Sequence, residues 1–335
     1  MGRKGVPDGV GQRTPRKGSR HKPPPHLKPN AKLGSNAPFI KLSDLQSLHY
    51  WAFERRHGNL LSILEVEVQP VALVALARYY DSPLRYFTFR DFQLAPTLKE
   101  YERLLGLPLI ESPHYFYRGH YPSWTLVAKL LRVSESKITR EKRNRNDLEG
   151  IQRSYLEERL HQLQKEEDWP TVMDVYGLVV YGIVLFPHME DYIDLAAMDV
   201  FLAKRENGEN PTMAILANIY YILNYCCERK RRSLRCCTHL LYLWMIAHLF
   251  HNKRKTTCPI EDFKWSWIRS MSKVRWIEYL DRASKRTIRW YPLWNKREQL
   301  IMRCGGFPNV PLMGTEGGIH YNPELTTRQD GYPMI

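Results

Sequence analysis

Two stretches, Val175 to Phe186 and Leu240 to Phe250, present apolar side chains on every face of any helix they form. A helix with no polar stripe has to be wrapped by other elements or by lipid. Both stretches fall well short of the ~20 residues that cross a bilayer. The sequence therefore predicts two interior helices inside a larger body. The chain has 335 residues, 43% of them apolar. A folded body of about 300 residues buries roughly 75% of its unfolded surface, so there is material enough to wrap them.

The flanking segments read mostly as helices with one apolar face. Ser43-x-x-Gln46 and Thr97-x-x-Glu100 are capping boxes, in which the side chains at both ends satisfy orphan amides of a first turn. Leu45, Leu48 and Ala52 follow the first box, and Gly58 ends that helix. Leu98, Tyr101, Leu104 and Leu105 follow the second, ended by Gly106 and Pro108. Pro70 starts another helix, and Ser123 precedes one over Trp124 to Leu131. Leu148, Ile151, Tyr155, Leu156, Leu160 and Leu163 predict an amphipathic helix. Helices are also expected over Pro170 to Phe186, Met189 to Ala203, Pro211 to Cys227 and Cys236 to His251. Only Leu84 to Phe89, rich in aromatics with a period of two, reads as a strand. Glycines and prolines from Gly305 onward predict a loop-rich end over residues 305–335. The expected fold class is mainly α: a multi-helix globular body over residues 42–335 with a minor β element.

Charge is unevenly distributed. The formal net charge is +15, yet residues 42–263 are balanced. The excess sits in two places. Residues 1–41 hold ten Lys or Arg against one acid, Asp8, and too few large apolar residues to fold, so they read as a disordered basic arm. Residues 264–297 hold ten Lys or Arg against Glu278 and Asp281, interleaved with Trp265, Trp267, Trp276, Trp290, Tyr291 and Trp294. Cations beside aromatic faces are the composition of single-strand binding surfaces. The competing reading places the tryptophans in the core, with the cations on the wet side of the same helices. The candidate nucleic-acid contacts are Arg13, Arg16, Lys17, Arg20 and Lys22 in the arm, with Arg275, Trp276, Arg289, Trp290, Trp294 and Arg297 in the stripe. Arg229, Lys230, Arg231 and Arg232 form a basic run that reads as an import signal or as a complement to a helix C-terminus.

The arm contains no apolar run of the kind a secretory signal requires. Cys226, Cys227, Cys236 and Cys237 come as adjacent pairs, whose side chains diverge by about 100° on a helix. Buried thiols suit that pattern better than a zinc site, and no metal or cofactor is expected. His188, Glu190, Asp191, Asp194 and Asp199 form the densest acidic cluster. Asp191 and Asp194 would serve a nuclease only if they converged with other carboxylates in a cleft. Acids in a first helical turn are otherwise expected from the macrodipole. No catalytic residue is assigned.

Four separated blocks carry a family resemblance. They are Tyr86 to Pro108, reading YFTFRDFQLAPTLKEYERLLGLP; Tyr181 to Pro187, reading YGIVLFP; Arg303 to Pro311, reading RCGGFPNVP; and Arg328 to Pro333, reading RQDGYP. In this order they resemble the plant mobile domain, in its legume-type, retroelement-associated branch. The resemblance runs from about residue 45 to the C-terminus. It implies a plant protein descended from, or carried by, a transposable element, nuclear like relatives linked to transposon silencing and meristem maintenance. The family is sometimes described as aminotransferase-like, but no lysine here is set up as a Schiff-base residue. The family typically continues past the Gly-Tyr-Pro-Met block, so the resemblance implies a truncated element.

The expectation is a non-enzymatic, transposon-derived protein of the nucleus, with nucleic acid or chromatin as its electrostatic partner. The alternatives are a protein-protein interaction scaffold without nucleic-acid binding, a cytoplasmic location, and a non-functional element fragment. No membrane association and no small-molecule substrate are expected.

Overall fold

Helix α11 (Thr238–Leu249) is buried at every one of its residues. The computed structural model describes residues 47–229, 233–250, 254, 256–295 and 310–321. Around α11 stand α2 (Leu60–Leu64), α3 (Pro70–Leu76), α4 (Leu98–Leu105) and α12 (Pro259–Lys264). A second interior helix, α8 (Trp169–Val180), is buried from Thr171 onward. Its neighbours are α1 (Ser47–His57), α5 (Trp124–Leu131), α7 (Arg153–Lys165) and α9 (Leu195–Asn207). Both all-apolar stretches are therefore wrapped by helices, as their lack of a polar stripe demands. One continuous apolar core joins the two groups.

Local signals place the helix ends. Thr97 and Glu100 form the reciprocal capping box of α4, and Gly106 closes that helix in the left-handed region at φ 67°. Ser123 caps α5 through the Leu126 amide. Asn210 Oδ1 accepts from the Thr212 amide at 3.0 Å, starting α10 (Thr212–Arg229). The mainly helical expectation holds: the described residues contain thirteen α-helices and only short sheets. The expected strand is present as β2 (Tyr86–Thr88), centre of an antiparallel sheet with β1 (Tyr80–Asp81) and β3 (Gln93–Leu94).

Three expectations need correction. The helix drawn over Leu148 to Leu163 is split. Residues Leu148–Gln152 form β5, paired with β4 (Lys142–Arg145), and helix starts only at Arg153. Asn146 and Asp147, at φ 51° and 64°, make the two-residue turn between those strands. The helix drawn from Met189 begins at Leu195, because Tyr192–Asp194 pairs as β6 against β5. The loop-rich end contains a hairpin, β7 (Val310–Gly314) with β8 (Gly317–Tyr321), which packs on α10. The basic arm and the Ser43 box lie outside the described residues.

After α8 the chain makes a π-helical turn over Tyr181–Leu185. Gly182 there lies against Ile193 of β6 so closely that an added Cβ would stand 2.5 Å from Ile193 Cγ1. The remaining helices are α6 (Glu135–Glu141) and α13 (Lys273–Arg282); α13 packs on α3.

One polar network runs through the core. Glu100 Oε2 accepts from the Thr97 amide at 3.0 Å, the Thr97 hydroxyl at 2.9 Å and Trp244 Nε1 at 3.0 Å. Its other oxygen lies 2.9 Å from His248 Nε2, while His248 Nδ1 donates to the Arg289 carbonyl at 2.8 Å. Buried polar groups are costly unless partnered in this way. The network ties the capping box of α4, through α11, to the segment that carries the basic stripe.

Candidate nucleic-acid interface

The basic and aromatic stripe is built on α12, the loop after it, α13 and the segment to Asn295. Ser272 caps α13, its hydroxyl accepting from the Arg275 amide. Its apolar side pairs Trp276 with Leu280, both buried, as a four-residue spacing on one helix face requires. Trp276 is 0% exposed and donates its indole N–H to Gln69 Oε1 at 3.0 Å. Gln69 also accepts from the Met271 amide and donates to the Arg269 carbonyl. One side chain thus pins the loop between α12 and α13 to the start of α3.

Further along, Trp294 is 4% exposed and donates to Asp262 Oδ2 at 3.0 Å. The same carboxylate receives both terminal nitrogens of Arg289, Nη1 to Oδ1 at 2.9 Å, and Arg289 Nε donates to the Ala247 carbonyl at 2.8 Å. Trp290 is half-buried against Phe92 and donates to the Lys285 carbonyl. Trp276, Trp294 and Arg289 are therefore not nucleic-acid contacts in this fold. The indoles lack a free face, and the guanidinium is matched by a buried carboxylate. Trp276 and Trp294 belong to the core, and Arg289 to its edge.

The stripe nevertheless has an outer surface. Trp267 is 77% exposed, and it holds φ at 50°, a conformation uncommon for a bulky side chain. The Gln69 bonds on the following residues keep the loop in place. Trp265 stands beside it with ring centroids 6.1 Å apart, and the Arg254 guanidinium lies 3.4 Å over the Trp265 ring. Tyr291 is 45% exposed. Lys264 is taken by Glu65 at 3.1 Å. Arg269, Lys273, Arg275, Arg282, Lys285 and Arg286 make no ion pair among the described residues. All of them except the half-buried Lys273 are exposed. Arg275 and Arg282 share one face of α13, with Glu278 between them, and Asp281 accepts from the Tyr79 hydroxyl.

Of the stripe candidates, then, Arg275 is at the surface, Trp290 is half available, and Arg297 lies outside the described residues. The arm candidates Arg13, Arg16, Lys17, Arg20 and Lys22 lie outside them too. Arg229 closes α10, and Lys230, Arg231 and Arg232 fall beyond the described segment.

A family model described as Domain of unknown function (DUF7745) matches residues 40–335. The chain belongs to that family. No curated protein and no solved structure matches it.

The other candidate chemistry in this DUF7745 chain disperses. Asp191 faces Arg153, Asp199 accepts from the Tyr115 hydroxyl at 2.5 Å, and Asp194 caps α9 while binding His188. The two carboxylates of the nuclease reading, Asp191 and Asp194, take separate partners. Cys226, Cys236 and Cys237 are buried, and the Cys226 thiol donates to the Ser233 carbonyl at 3.5 Å. Burial pushes the Cys237 thiol up to about 12 and raises Cys236 as well, which keeps both protonated. Among the described residues no group of three or more His, Cys, Asp or Glu could hold a metal ion. No helix among them is long and apolar enough to cross a membrane.

Proposed function

We propose that this chain is a non-enzymatic, transposon-derived plant protein, related to the plant mobile domain, that associates with nucleic acid or chromatin in the nucleus. The observation that carries the reading is the outer surface of the stripe. Six cations from Arg269 to Arg286 are without an ion pair among the described residues, and Trp267 and Tyr291 face outward at its two ends. Each cation that neutralises a phosphate releases a counterion, which drives binding whatever the sequence. An exposed indole face stacks on any unpaired base, worth ~1 to 3 kcal/mol. The basic arm and the run Arg229 to Arg232 add charge of the same sign.

Direct contact should respond to both kinds of group. Short labelled oligonucleotides, single-stranded DNA, duplex DNA and single-stranded RNA, are titrated with the full chain, with Trp267→Ala, and with Arg275→Gln/Arg282→Gln/Lys285→Gln combined. The charge variant should weaken all three probes together, and Trp267→Ala should weaken the single strands selectively. Unchanged affinity of both variants for every probe would remove the reading and leave the protein-interaction scaffold in its place.

A further inference from the structure

The β7–β8 hairpin meets the body at its tip, where Thr315 and Glu316 lie over His188. His188 sits on the segment between the π-turn and β6 and is buried. Its Nδ1 is 2.6 Å from Asp194 Oδ2. Its Nε2 is 3.1 Å from the Thr315 hydroxyl and 3.4 Å from Glu316 Oε1. A carboxylate accepts hydrogen bonds and does not donate them, so a ring set between two carboxylates is served best when both nitrogens carry hydrogen. Asn218 of α10 also reaches Nε2, at 3.4 Å through its amide nitrogen, while its Oδ1 has no partner among the described residues. The reversed amide would place that oxygen on a protonated Nε2.

The order Asp194, His188, Thr315 has the form of a carboxylate, imidazole and hydroxyl relay. A relay needs Nε2 free of its proton, and the Glu316 carboxylate at the same nitrogen favours the proton instead. The charges facing the ring bear this out. Burial lowers the affinity of His188 for a proton, and Arg235, bonded to its carbonyl at 3.0 Å, lowers it further. Asp194 and Glu316 outweigh both, leaving the pKa above its ordinary 6.5. Tyr121 and Tyr221, the nearby phenols that feel Glu316, are raised mainly by burial, and Asp194 adds to the rise at Tyr121. Both therefore stay neutral across the relevant range.

We propose that His188 and Glu316 form a proton-dependent latch: the imidazolium seats the tip of the β7–β8 hairpin, and loss of its Nε2 proton releases Glu316 and loosens that tip. The Thr315 hydroxyl, which then donates to the bare nitrogen, is left as the tip's contact with the ring. The latch closes one wall of an open cavity of about 570 Å³ lined by His188, Tyr221, Tyr225, Ser233, Arg235 and Glu316. Leu312 and Ile319, buried in the core, hold the rest of the hairpin whatever the charge of His188. The motion is thus confined to residues 313–318. The tip is seated below the His188 pKa and loosened as pH rises through it.

The full chain is labelled for NMR, and the His188 ring is titrated while amide exchange is followed at 313–318 and, as an internal reference, at the β4–β5 turn. His188 should titrate above 6.5, and protection at the hairpin tip should fall relative to the reference turn over the same pH interval. Glu316→Gln, a surface change that leaves the core intact, should lower the His188 midpoint and abolish the pH dependence of tip protection. A His188 midpoint at or below 6.5, or tip protection that tracks the reference turn throughout, would overturn the latch.

Discussion

Arg289 donates Nη1 to Asp262 Oδ1 at 2.9 Å, and Asp262 in turn accepts from the Trp294 indole. Two residues that composition marks as nucleic-acid contacts are thereby joined to one carboxylate inside the protein. Breaking a buried pair by removing one partner leaves an uncompensated charge and costs about 3 to 5 kcal/mol. Asp262→Ala should lower the denaturation midpoint sharply, whereas Arg275→Gln, at the surface, should stay within about 0.5 kcal/mol of the parent. Urea melts of the two variants check this.

The tryptophans should separate in the same manner. Trp276→Ala removes a fully buried indole and leaves Gln69 Oε1 with the Met271 amide but without the indole N–H, at a cost of about 3 to 5 kcal/mol. Trp267→Ala should leave stability nearly unchanged and reduce single-strand affinity by about 1 to 3 kcal/mol. Melts combined with anisotropy titrations distinguish the two. Equal loss of stability from both substitutions would contradict the assignment of one to the core and the other to the surface.

Stability should decline on the acid side. Burial, with Arg56 and Lys204 adding repulsion, holds the His57 pKa down at about 3, and burial holds His239 at about 4. Unfolded histidine titrates near 6.5, so below that pH the unfolded chain binds more protons and folding is opposed. Stability should fall progressively from about pH 6.5 toward 4, and His57→Gln should flatten the decline. Denaturant midpoints that do not move over this interval would contradict it. His188 acts in the opposite sense: its contribution is present below about 6.5 and is lost as pH rises through its raised pKa.

Gly182 offers a test of the packing between the π-turn and β6. An alanine Cβ would collide with Ile193, and overpacking of this kind costs about 1 to 3 kcal/mol. Gly182→Ala should be destabilising, and Gly182→Ala with Ile193→Ala, which removes both γ-carbons from the collision, should cost less than the sum of the two single substitutions. Calorimetric midpoints for the single and double variants provide the measurement.

How far the sequence could be read depended on whether a signal was local. Thr97 with Glu100, Gly106 and Ser123 act within one turn, and each marks the helix end it appeared to mark. The β4–β5 hairpin escaped because Lys142 to Arg145 is exposed at every residue and shows no alternation. Its one cue was the Asn146-Asp147 pair. β6 owes its form to β5, a partner distant in sequence that no local pattern announces, whereas β7 and β8 pair with each other across the Thr315-Glu316 turn and only their packing on α10 is distant. Within the stripe, the spacing of Trp276 and Leu280 already placed that indole on the apolar face. Trp267 carried no periodic signal, since a loop fixed by Gln69 turns it outward. The carboxylates Asp262 and Asp194, which capture Arg289 and His188, lie close to their partners only in the fold or across a short turn.

The most direct test of the account is the salt dependence of oligonucleotide binding. Binding constants for single-stranded DNA are measured across a range of monovalent salt with the parent and with Arg275→Gln/Arg282→Gln/Lys285→Gln. Log Kobs should fall linearly with log salt, and the variant's slope should be shallower by about 0.7 for each phosphate that is no longer neutralised. A flat slope, or one that the three substitutions leave unchanged, would contradict it.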